Sequence, residues 1–220
     1  MNGLMRFLVF GLTLSVGAGS LIAQESRLAG RLDSATQRRV EQLIGSALAD
    51  ELPTEPLVDK ALEGASKGAP GDQIVQAVAR LLADIQVARS ILGGEADDYE
   101  LIAGAGAVRA GASAERIETV VLSRPNMSSL VPLAVLTDLV ALGVPPGTAA
   151  SAVLALTESG ASDAELDNLL RNVSSDIQAG YPPVQATAIR SGSPSIVPPP
   201  GAVLPPAVGI PPVAAPVRDQ

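Results

Sequence analysis

Apolar residues along the middle of the chain recur at three- and four-residue intervals. In SATQRRVEQLIGSAL, Val40, Leu43, Ile44, Ala47 and Leu48 fall on one helical face while Arg38, Arg39, Glu41 and Gln42 turn outward. Ser34 is the expected cap of this helix, and Leu52-Pro53 its expected end. PTEPLVDKALEGASKG starts again, with Thr54 as cap, Pro56 in the first turn and a stripe of Leu57, Val58, Ala61, Leu62 and Ala65. Gly68 suits a left-handed helix end and Pro70 a stop. Asp72 is a cap candidate and a favourable charge at the next helix start. The following helix, predicted over 74–92, repeats its face at Ile74, Val75, Val78, Leu81, Leu82, Ile85 and Ala88 before Gly93-Gly94.

The same punctuation returns three times. Gly111-Ala112-Ser113, Gly143-Val144-Pro145-Pro146 and Gly160-Ala161 each separate two helical patterns, as helix hairpins or corners require. Ser113 is a cap without the acid of a full capping box, because Glu115 falls one residue short; Ser162 and Glu165 have the box spacing. The link glycines at 68, 111, 143 and 160 keep no constant separation, so a regular repeat solenoid is not predicted. Between helix pairs, SRPNMSSLVP at 123–132 reads as a crossover that presents Met127 and Leu130. The chain has two Tyr, Tyr99 and Tyr181, and both Phe lie before residue 11, so the core is aliphatic. The expected fold class is all-α: an irregular helical bundle or a short α-solenoid of stacked helix hairpins.

Both ends depart from this pattern. Residues 1–23 place Arg6 ahead of the apolar run Phe7 to Val16 and then Gly17-Ala18-Gly19-Ser20, the order of a secretory signal peptide with cleavage after Ala23. Leu21 fits the small-residue rule for that cut poorly, so a nearby cut or a retained anchor stays open. The apolar stretch falls short of the about 20 residues of a membrane span. The expected location is secreted or periplasmic, with no membrane span in the mature chain. From Gly180 onward more than a quarter of the residues are Pro, and the expectation is a disordered tail with polyproline II character over 180–220. The tail is a spacer, or a peptide for an aromatic-lined groove on a partner. The helical domain is expected over 24–179.

Charge and composition then narrow the chemistry. The net charge is −8, and removing residues 1–23 takes away one Arg and no acid. That balance excludes a nucleic-acid binder, which needs a cationic surplus against phosphates. Without Cys or His the chain forms no disulfide and builds none of the usual zinc sites, and it lacks both the commonest general base and the thiolate nucleophile. Glu95, Asp97, Asp98 and Glu100 form the densest acidic group, but without the spacing of a calcium loop, and they read as acids at a helix N-terminus. Gly104 and Gly106 echo a dinucleotide loop without its strand context, so they read as close helix contacts. Ser66 and Lys67 are adjacent, not spaced as in the S-x-x-K nucleophile motif. No residue is singled out as catalytic, cofactor-binding or metal-ligating, and no cofactor is expected. The leading expectation is an exported, non-catalytic helical module that binds a protein partner or scaffolds the cell envelope. A carboxylate-based hydrolase and a chaperone-like binder of envelope clients are the alternatives.

Overall fold

The computed structural model describes residues 27–192, and every regular element in that range is α-helical. The helices are α1 (Ser34–Ala49), α2 (Glu55–Ser66), α3 (Gly71–Leu92), α4 (Asp98–Arg109), α5 (Ala114–Leu122), α6 (Leu130–Ala141), α7 (Pro146–Glu158), α8 (Asp163–Gln178) and α9 (Pro183–Ser191). They form a helical bundle. Most positions of the apolar stripes read from the sequence are buried: Val40, Ile44 and Ala47 in α1, Leu57, Val58 and Ala61 in α2, and all seven predicted positions of α3, whereas Leu43, Leu48, Leu62 and Ala65 are half-buried. The residues expected as a signal segment, and those from 193 onward, lie outside the described range.

Five links share one geometry. Each is a Gly with positive φ, one further residue, and then an extended Pro or Ser that opens the next helix: Gly68-Ala-Pro70, Gly111-Ala-Ser113, Gly143-Val-Pro145, Gly160-Ala-Ser162 and Gly180-Tyr-Pro182. At Gly143, φ is 90°, and the next N–H, from Val144, reaches back to the Leu139 carbonyl at 3.1 Å. This closes the helix in a left-handed turn that satisfies its last carbonyls. Pro at the following cap position loses nothing, since the first N–H groups of a helix have no intrahelical acceptor.

Three local expectations change. Asp33, not Ser34, caps α1, accepting from the N–H groups of Ala35 and Thr36 at 3.0 Å. Pro70 stands at the cap of α3, and Asp72 inside its first turn pairs with Arg39 of α1 instead. The boundary expected at 179/180 also moves, because α9 continues the fold to Ser191. Ala186 and Thr187 are buried there, and Arg190 holds Asp176 of α8 through two hydrogen bonds of 2.6 and 2.7 Å. Proline density hid this helix: Pro182 and Pro183 occupy only its cap and first position, where they are harmless.

The principal helix contacts join elements one or two apart along the chain, such as α3 with α4, α4 with α6, α6 with α8 and α7 with α9. Two aliphatic clusters result. One is built around Leu57, Val78 and Ile85, and the other around Ile117, Leu136 and Val153. Helix α4 serves both, giving Leu101 and Ala105 to the first and Ala107 to the second. Gly104 explains how α4 can approach α3 so closely: a Cβ there would meet Leu92 Cδ1 at 2.9 Å and the Ala88 Cβ at 3.0 Å.

Candidate functional site

Among the described residues no three carboxylates gather as a metal site would require. Asp97 and Glu100 of the acidic group at the α3–α4 loop are instead committed to helix starts. Asp97 Oδ1 accepts from Glu100 N at 2.8 Å, and Glu100 Oε2 accepts from Asp97 N at 3.2 Å, a reciprocal capping box. Glu100 goes further, because its Oε1 accepts from Ser129 N at 2.7 Å and from Ser128 Oγ at 3.1 Å. One carboxylate therefore serves the N-termini of α4 and α6 together.

A groove of about 550 Å³ runs between α2, α3 and α4 over Leu81, Ile85 and Ile102, with Asp59, Lys60 and Glu63 on its rim. Its chemistry is that of a structural ion cluster. Lys60, and then Lys67, hold the Glu63 carboxyl down at about 2. The carboxyls of Asp33, Glu165 and Asp176 are also lowered, by the Thr36 hydroxyl, the Ser162 backbone and Arg190 respectively. A hydrolase acid must keep its proton near neutral pH and needs a raised value, opposite to all four shifts. Ser66 Oγ donates to the Glu63 carbonyl at 2.8 Å and Lys67 pairs with the Glu63 carboxylate, so these neighbours form no nucleophile and base.

The 123–129 loop is different, because it is held firmly while it presents apolar side chains. Ser123 Oγ donates to Thr157 Oγ1 of α7 at 2.7 Å. The Arg124 side chain is only 4% exposed, and its Nη1 lies 2.7 Å from Asp163 Oδ1 at the start of α8, an ion pair without hydrogen-bond alignment. Met127 N returns to the Arg124 carbonyl at 3.2 Å, Asn126 takes a left-handed φ of 64°, and Glu100 fixes the far side of the loop. On this framework Leu122 is 68% exposed and Met127 56%, with Leu130 less so, and Tyr99, beside Glu100, is 70% exposed.

The sequence reading named Met127 and Leu130 in this loop. It missed Leu122, because that position continues a helical pattern. It also missed Glu100 and Arg124 as anchors, because their partners lie 28 to 39 residues away and no local signal marks such pairs. No protein-family model, curated protein or solved structure matches the chain.

Proposed function

We propose that the protein is an exported, non-catalytic helical module that binds another protein, built as a short α-solenoid of stacked hairpins. Principal contacts between near neighbours along the chain support the solenoid reading. The single observation that carries the binding reading is the 123–129 loop, tied to α4, α7 and α8 while its Met127 and the adjoining Leu122 stand exposed. A loop fixed on a rigid scaffold presents its side chains to a partner with little ordering cost. In this reading the Pro-rich segment beyond residue 192 is a spacer or a docking peptide, and the partner or envelope component meets the helical face.

The test places a photo-crosslinking side chain at Met127 of the full chain, and in a second protein at Ile189, which is also 56% exposed but lies on α9. Both are activated in the exported compartment of the source cell. A discrete product from Met127 that Ile189 does not give supports the reading. Identical products or none from Met127 would remove its basis.

A further inference from the structure

We infer that the partner of this surface is a cationic protein segment with one apolar face, an inference that rests on the binding reading above. Five helix ends meet around the 123–129 loop: the starts of α4, α6 and α8 and the ends of α5 and α7. The charge exposed there has one sign. Glu95, Asp97 and Asp98 flank the loop on the α4 side, and Glu158, Asp163 and Glu165 on the other. Two cations that border this region are turned inward or already engaged. Arg124 is buried against Asp163, while Arg89 donates to the carbonyls of Gly94 at 2.9 Å and Glu51 at 3.0 Å.

Helix chemistry accounts for part of this ring, since acids at N-termini meet the positive end of the dipole. It does not account for Glu158, the last residue of α7, where the dipole favours a cation. Nor does it account for the exposure of Leu122, Met127 and Tyr99. Apolar anchors bordered by exposed acids, of which Asp163 is already paired with Arg124, complement a segment that carries apolar residues on one face and Lys or Arg beside them. An anionic lipid surface or a nucleic acid is repelled by the same ring.

The experiment titrates the full chain with two synthetic peptides of equal length, one with Leu and Lys at helical spacing and one with Glu in place of Lys, followed by backbone amide NMR. The expected result is that the Lys peptide alone binds and moves the amides of 95–100 and 122–130. Leu122→Ser with Met127→Ser is expected to weaken binding about tenfold or more, as loss of central anchors does. Asp98→Lys with Glu158→Lys should weaken it similarly, whereas Glu41→Lys with Asp138→Lys, remote from the loop, should change it by less than about twofold. Circular dichroism confirms that each variant is folded. No binding, shifts confined to other helices, or equal losses in the remote pair would overturn the inference. A Met127 crosslink in the cell to a segment without surplus Lys or Arg would overturn it too, while leaving the binding reading in place.

Discussion

Arg124 shows how unequal the two halves of one ion pair can be. Its guanidinium is almost wholly buried, whereas Asp163 is 51% exposed. Asp163→Ala therefore strands a buried charge, and the expected loss is about 2–3 kcal/mol, below the ~3–5 kcal/mol of a fully buried pair because water reaches the Asp163 side. Arg124→Met removes the charge and keeps volume, so it should stay within about 1 kcal/mol of the parent. Urea unfolding of both variants checks the asymmetry; equal losses would contradict it. Two glycines of α4 provide a second contrast. Gly104→Ala drives a methyl group against Leu92 and Ala88 and should destabilise by about 1 kcal/mol, the clash outweighing the helix gain. Gly106→Ala meets nothing nearer than Thr137 Oγ1 at 3.4 Å and should stabilise by up to about 1 kcal/mol. Opposite shifts in melting temperature are the expected signature. The sequence marked both glycines as close contacts, but periodicity cannot show which one would press a methyl group on the Leu92 and Ala88 side chains at about 3 Å and which would leave it in ordinary contact with Thr137.

At the scale of elements, the links were largely legible because their chemistry is local. A glycine past the last apolar position, followed by Pro or Ser, specifies a left-handed turn and a new helix start within four residues. Gly143→Ala, placed at a φ of 90°, is expected to cost about 1–2 kcal/mol in unfolding free energy. The fifth link, at Gly180, carries the same signal but sits where proline content suggested a tail, so bulk composition outweighed a local rule. Glu100 lies at the opposite extreme. Its spacing from Asp97 is visible in the sequence, yet its bond to Ser129 depends on α4 and α6 packing together. Glu100→Ala removes acceptors from two helix starts, and the expected loss is about 2 kcal/mol, roughly twice that of a single cap. Amide exchange should then quicken at the first turns of both helices; quickening at α4 alone would argue against the shared role.

For the whole molecule, the lowered carboxyls of Asp33, Glu63, Glu165 and Asp176 set the response to acid. In the unfolded chain such groups bind protons near ordinary values of about 4, before the folded forms do. Their contribution is therefore complete above about pH 5 and disappears as pH falls toward 2, where the Glu63 carboxyl itself titrates. Melting temperature should hold steady at mild acidity and decline below about pH 4, with a shallower decline in Glu63→Gln. The aliphatic, helical core was legible from composition and periodicity together. Of the surface around residue 123 only Met127 and Leu130 were legible, since the rest forms only when five helix ends separated in sequence converge.

The near-neighbour pattern of helix contacts also bears on how the chain reaches its native state. The principal packing partners lie at most two helices away, so little chain entropy is lost before these contacts form, and such topologies fold in about microseconds to milliseconds. The cluster around Val78 can consolidate while the last helices are still being added. Assembly can thus begin at either end of the chain, without waiting for the other.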